Sequence, residues 1–293
     1  MSTITATLNA VKERGAKALI TFITAGDPDL ATSEKIIHTL IESGVDLIEL
    51  GFPFSDPMAD GPTIQLASER ALESGTTLRG VLDMVARVRQ HSNVPIVLMG
   101  YYNPVFCYGP ERFAREAATA GVDGLLLVDL PPEEAEELHP FLINAGIDLI
   151  TLLAPTTGAQ RSLRLAAGGE GFLYYVSMTG VTGSQQVDAE AISAAVNELK
   201  KQSPVPVAVG FGVSTPEDAK SVAKIADAVV VGSALVKLIA ELLDHRLKVD
   251  STPGVGSTFA IEVPLGHAME LPAAVQPSTQ ATHEAAGGHI VLV

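Results

Sequence analysis

The chain has no tryptophan and a single cysteine, Cys107, among 293 residues. One cysteine cannot form an intramolecular disulfide, so a reducing, cytoplasmic setting is expected. Aromatic residues make up 5% of a chain that is 47% hydrophobic, so a core must be built from aliphatic side chains. Basic residues are scarce: 19 lysines and arginines face 34 acids, for a formal net charge of -15. With no basic stripe the chain does not read as a nucleic-acid binder, and an anionic membrane surface is disfavoured for the same reason. A phosphorylated ligand would be repelled at long range and would need a local anion site. No apolar run approaches the ~20 residues of a transmembrane helix. The opening MSTITATLNAVKERG lacks a signal-peptide core, and its Ile4, Leu8 and Val11 recur at helical spacing.

What is present is repetition. Residues 18–243 carry eight short apolar runs: ALITFITAG (18–26), DLIELG (46–51), PIVLMG (95–100), GLLLVD (124–129), DLITLLA (148–154), GFLYYVS (171–177), VPVAVGFG (205–212) and DAVVVG (227–232). They are continuous rather than alternating, as in strands buried on both faces. Amphipathic stretches separate them, including SEKIIHTLIESG, TLRGVLDMVARVRQ, PERFAREAATAG, PPEEAEELHPFLINAG, AEAISAAVNELKKQ and STPEDAKSVAKIA. In the last, Ser214 with Glu217 reads as a capping box. Eight strands alternating with helices predict an α/β fold of the (β/α)8 barrel type over 1–243. An open doubly wound sheet would normally carry a glycine-rich dinucleotide loop after its first strand, and TFITAGDPD is not one. After Leu243 the texture changes. RLKVDSTPGVGSTFAIEVPL predicts a β-hairpin turning at 253–256, followed by a flexible linker over 273–286 and a terminal HIVLV. The boundary is placed near Asp244, with 244–293 a separate tail.

Function in such a barrel collects at the C-terminal ends of the strands. None of the nine lysines lies there, which argues against a Schiff-base aldolase. No histidine pair has metal-ligand spacing on a strand end, which argues against a zinc lyase. Carboxylates remain. In ELGFPFSDPMADGP, Glu49 lies near the end of the second strand and Asp60 closes the turn-rich loop that follows. A carboxylate pointing into an apolar barrel mouth has its pKa raised by desolvation and can carry a proton near neutral pH. The structural alternative is a Glu49 satisfied by backbone N–H groups or tyrosine hydroxyls, and Asp56 within SDP could serve only an Asx turn. Of Tyr174 and Tyr175, one must point inward and the other outward. Glycine-rich turns follow strands six (SMTGVTGSQQ), seven (GFGVS) and eight (GSALVKLI), the last opening a helix at Ser233. Such turns after strands seven and eight make a backbone anion site without lysine or arginine.

ELGFPFSDPMADGPTIQ, LMGYYNPVF, GFLYYVSMTGVTG, GFGVSTPE and VVVGSALVKLI together resemble the tryptophan synthase α subunit family, in order, across about residues 8–243. The resemblance implies cofactor-free cleavage of indole-3-glycerol phosphate to indole and glyceraldehyde 3-phosphate. It implies Glu49 as general acid/base and Asp60 as the acceptor of the indole N–H, with Tyr174 the active-site tyrosine. Phe22, Ile64, Tyr101 and Leu126 align with the indole pocket, and Thr182 with the mobile loop that closes over it. Gly183, Phe211, Gly212, Gly232 and Ser233 align with the phosphate-binding set. Pro53, Asp56, Pro57 and Asn103 align with loops that face a pyridoxal-phosphate β subunit in an αββα complex. That cofactor is expected only in the partner. The family has one more helix after strand eight, which the tail replaces here. LKVDSTPGVGSTFAIEVPL resembles the end of a histidine-kinase ATPase domain, and GGHIVLV the first strand of a receiver. Both pieces are incomplete, so neither ATP binding nor phosphotransfer is expected of them. Two other readings remain at this stage: a catalytically weak partner protein that activates a β subunit, and a fusion with a regulatory tail.

Overall fold

The apolar runs become parallel strands in the computed structural model, which describes residues 2–177, 189–210 and 212–241, and the backbone alone of 246–252, 256–262 and 289–291. The strands are β1 (Ala18–Thr24), β2 (Leu47–Gly51), β3 (Ile96–Gly100), β4 (Gly124–Leu127), β5 (Asp148–Leu149), β6 (Thr151–Leu153), β7 (Leu173–Val176), β8 (Val207–Gly210) and β9 (Ala228–Val231). Their order is β5-β4-β3-β2-β1-β9-β8-β7-β6. Only Ile150 separates β5 from β6. β5 pairs with β4, β6 pairs with β7, and the Ile150 N–H still bonds the Leu125 carbonyl at 2.8 Å. The two segments are therefore one stave, bent where it closes the ring, and nine segments make the eight staves of a (β/α)8 barrel.

Alternation along each stave sorts the core into layers. Ile20, Phe22, Leu47, Val97, Met99, Leu126, Tyr174, Ala208 and Val230 fill the barrel interior as one cluster. Ile23, Ile48, Leu50, Ile96, Leu98 and Leu125 face the surrounding helices. The N-terminal helix Thr3–Glu13 buries Ile4, Leu8 and Val11, as its spacing predicts. Ile4 joins the interior cluster and the Thr5 hydroxyl donates to the Gly171 carbonyl at 2.9 Å, so this helix plugs the barrel end opposite the strand C-termini.

Helices Leu30–Glu42, Leu78–Val88, Pro110–Ala120, Ala189–Gln202 and Pro216–Ala223 occupy the predicted amphipathic stretches. Two details differ from the sequence reading. PPEEAEELHPFLINAG is not one helix but a 3-10 turn, Pro132–Glu137, followed by an α-helix, His139–Ala145. Pro140 is tolerated in the first turn of the second helix but would break a continuous one. The capping box before Pro216 is formed by Thr215 and Asp218, one residue later than expected, which places proline at the first helical position. Helices Pro62–Glu73, Tyr102–Tyr108 and Ala159–Ala167 were not anticipated.

Ser233–Glu241 is the last helix among the described residues. Beyond it, β10 (Arg246–Thr252) and β11 (Gly256–Glu262) pair antiparallel as the expected hairpin, and β12 (His289–Val291) adds to β11. The expected linker over 273–286 lies outside the described residues.

Candidate active site

Glu49 faces inward on β2, between Leu47 below it and Gly51 at the mouth. Its Cα is in register with Phe22 of β1 and Val97 of β3. It is 0% exposed, and among the described residues neither carboxylate oxygen has a hydrogen-bond partner. Among the described residues no N–H group or tyrosine hydroxyl holds it, as the structural alternative would require. Burial alone raises its pKa from 4.5 to about 8, so the side chain is a neutral acid at pH 7. Tyr174 lies in the barrel interior near enough for the Glu49 charge to add to burial in raising its own pKa. Its ring reaches across to β8, where a Cβ on Gly210 would lie 2.2 Å from the hydroxyl oxygen. Tyr175 packs outward against the helix layer.

Asp60 is held at the rim. Its N–H bonds the Pro57 carbonyl at 3.0 Å, and the Gln65 side-chain amide donates to its own carbonyl at 2.9 Å. The Tyr101 hydroxyl donates to Oδ2 at 3.0 Å and accepts the Ala59 N–H at 2.9 Å. Burial raises the Asp60 pKa to about 6 while the tyrosine bond opposes the rise. The carboxylate is thus mostly ionised at pH 7.

A cleft opens at the strand C-termini. Asp60, Phe22, Ile64 and Tyr101 line it, together with Thr24, Gly51, Phe52, Phe54, Ser68, Met99, Gly100 and Val128. Four of the expected site residues are thereby brought together. Glu49 and Leu126 are not on the cleft wall. Each sits one inward position deeper than a lining residue of its own chain segment, Gly51 and Val128 respectively, or roughly 7 Å along an extended chain. The Phe22 ring occupies the space over Gly51, where a Cβ would lie 2.6 Å away. The lining residues missed by the sequence reading are unreactive. Their one signal is position, since Thr24, Gly51 and Gly100 end β1, β2 and β3.

The anion-site turns also converge. Gly212 follows β8 and Gly232 follows β9, and these strands are paired neighbours. Gly212 has a φ of 76°, the left-handed region that favours glycine. Gly232 precedes the helix that starts at Ser233 and lies against Phe22, its ideal Cβ 3.5 Å from that of the phenylalanine. That first turn contains no acid, so its N–H groups can take a negative ligand. Thr182, Gly183 and Phe211 lie outside the described residues.

On the loop side, Asp56 and Asn103 are exposed, while Pro53 and Pro57 are partly buried. The Asp56 carboxylate accepts the Ser55 hydroxyl at 2.6 Å. Met58 is 81% exposed and Phe106 56%, so the loop bearing Met58 and the short helix Tyr102–Tyr108 both present apolar surface.

A model of the tryptophan synthase alpha chain family matches residues 8–253, ten residues past the boundary expected at 243. The chain belongs to the tryptophan synthase alpha chain family. The alpha chain of Citrifermentans bemidjiense is 59% identical over 250 residues, covering 84% of this chain and 94% of that protein. The alpha chain of Geobacter sulfurreducens is 58% identical over 238 residues. A crystal structure of the alpha subunit from Legionella pneumophila superposes with a TM-score of 0.77 at 43% identity, covering 83% of this chain and 91% of that one. The reaction of an alpha chain is the cleavage of indole-3-glycerol phosphate to indole and glyceraldehyde 3-phosphate, so this member is a carbon–carbon lyase of tryptophan biosynthesis. No helix among the described residues is long and apolar enough to cross a membrane.

Proposed function

We propose that Glu49 and Asp60 divide the proton handling of the alpha reaction. The observation that carries this is the contrast between a fully buried Glu49, unpartnered among the described residues and with a pKa near 8, and a rim Asp60 near 6. Two acids in environments that push their pKa values apart supply a proton donor and a charge stabiliser at the same pH. Protonated Glu49 gives its proton to the indole carbon that bears the glycerol chain. The ring then carries positive charge as an indolenine, and ionised Asp60 accepts the ring N–H and stabilises it. Glu49, now a carboxylate, takes the proton from the hydroxyl of the adjacent side-chain carbon. That C–O bond becomes a carbonyl, the C–C pair returns to the ring, and indole and the aldehyde separate. Glu49 ends as it began, protonated, so the cycle needs no cofactor in this chain.

Phe22, Ile64, Tyr101 and Leu126 are assigned to the indole ring, and Tyr174 to the chemistry beside Glu49. Gly212, Gly232 and Ser233 are assigned to the phosphate, joined by Gly183 and Phe211 on the family resemblance, with Thr182 on the closing loop. The partner assigned to Pro53, Asp56, Pro57 and Asn103 is a β subunit carrying pyridoxal phosphate, in an αββα assembly in the cytoplasm. Exposed Met58 and Phe106 beside those residues support an apolar contact. A relative from Pyrococcus furiosus, 41% identical with a TM-score of 0.69, was solved as a tryptophan synthase complex. To the tail we assign no nucleotide chemistry, and calorimetry with Mg-ATP should show no binding heat.

The test is indole release from indole-3-glycerol phosphate by the chain alone. Wild type should turn over, and Glu49→Gln and Asp60→Asn should each lose at least two orders of magnitude. A wild-type chain that is inert alone but stimulates a β subunit would instead establish the binding-partner reading.

A further inference from the structure

Tyr101 does more than wall the cleft. Its ring is 3% exposed and sits beside Phe54, with centroids 5.4 Å apart, so the hydroxyl has a fixed position. That oxygen accepts the Ala59 N–H at 2.9 Å. A phenol has one proton, and with the amide on its lone pair the proton is directed at Asp60 Oδ2, 3.0 Å away. The Asp60 backbone is pinned on both sides by Pro57 and Gln65. Rotation about the Asp60 side chain would break the tyrosine bond, which commits Oδ2 to the phenol.

We propose that Tyr101 is a positioning residue that holds Asp60 with Oδ1 presented to the ring N–H of the substrate. This rests on the role proposed above for Asp60. The consequence is energetic as well as geometric. A donor fixed on Oδ2 favours the ionised carboxylate and partly offsets the cost of its burial. Because the amide polarises the phenol, the donor is stronger than an isolated one. Burial and the Asp60 charge both push the Tyr101 pKa upward, so the phenol stays protonated and keeps donating across the working pH range.

The experiment follows kcat/KM for indole release against pH in the full chain, for wild type, Tyr101→Phe and Asp60→Asn. Losing one charge-assisted hydrogen bond is expected to lower kcat by roughly tenfold and to move the acidic limb upward by about one pH unit, with KM changed far less. A thermal midpoint that falls while the limb stays in place would mean a packing role only and would overturn the proposal. If Asp60→Asn is inactive while Tyr101→Phe matches wild type, the positioning role alone fails. If Asp60→Asn retains full activity, the Asp60 assignment fails with it. Should Tyr101→Phe not fold, 3-fluorotyrosine at position 101, a stronger donor of nearly the same shape, is expected to move the limb downward, and an unmoved limb would refute the idea.

Discussion

Replacing Glu49 with glutamine should abolish catalysis and make the protein more stable, by an amount that depends on pH. The side chain is 0% exposed, no group among the described residues pairs with it, and desolvation alone lifts its pKa from 4.5 to about 8. The folded state therefore binds a proton more tightly than the unfolded chain. Between pH 4.5 and 8 the unfolded chain has released this proton while the folded chain keeps it, so unfolding stability falls as pH rises through that window. A change of about 3.5 pH units at roughly 1.4 kcal/mol each gives about 5 kcal/mol lost by pH 8 and above, of which about 3 kcal/mol is already lost at pH 7. Those are large fractions of a typical total stability of about 5–15 kcal/mol. Glutamine keeps the shape and carries no proton to lose. Urea unfolding of wild type and Glu49→Gln from pH 5 to pH 9 should give near-equal stabilities at the acid end and a variant advantage of several kcal/mol at the alkaline end. A difference that stays flat across the series would refute the reasoning, because Glu49 could not then be a desolvated acid held in its protonated form.

Further expectations concern the cleft and its supports. The pH profile of kcat/KM should be a bell with limbs near 6 and 8, since Asp60 must be ionised and Glu49 protonated; a single limb would remove one acid from the chemistry. Gly51→Ala places a methyl 2.6 Å from the Phe22 ring and should cost about 1–3 kcal/mol in urea unfolding while raising KM. Gly212→Ala forces a side chain into a backbone with φ of 76° and should cost roughly 1–2 kcal/mol, with weaker binding of inorganic phosphate by calorimetry. Arg70→Ala strands Asp27, which is 4% exposed and receives the guanidinium at 2.7 and 2.8 Å; the urea midpoint should fall by the equivalent of about 3 kcal/mol, and an unchanged midpoint would make the pair incidental.

The barrel was legible in the sequence because strands buried on both faces read as nearly continuous apolar runs, and eight such runs recur between amphipathic stretches. Helix Pro62–Glu73 was missed for the converse reason. It buries only Ile64, Ala67, Ser68 and Ala71, a face too small and too polar to stand out. Glu49 was found by elimination among reactive side chains, and its burial follows from residue parity along β2. That Phe22, from a neighbouring strand, lies over Gly51 does not follow from parity along β2. Tyr101 and Asp60 are 41 residues apart, and no local pattern records that their side chains meet. Nor could composition flag Thr24 or Gly100, whose only qualification is to end a stave at the mouth.

Depth is also what separates the two acids. Neither shift depends on a neighbouring ionised carboxylate: burial is the leading cause for both. Glu49 is fully buried, and no hydrogen bond from the described residues replaces its water. Asp60 keeps part of its hydration and gains a phenol proton, and its pKa rises less. At pH 7 each group is about one unit from its pKa, so roughly nine molecules in ten hold Glu49 neutral, and the same share hold Asp60 charged. A retro-aldol cleavage that begins with proton donation to carbon and passes through a cation requires that pair of states. The barrel supplies it by placing one acid inside its rim and the other on it.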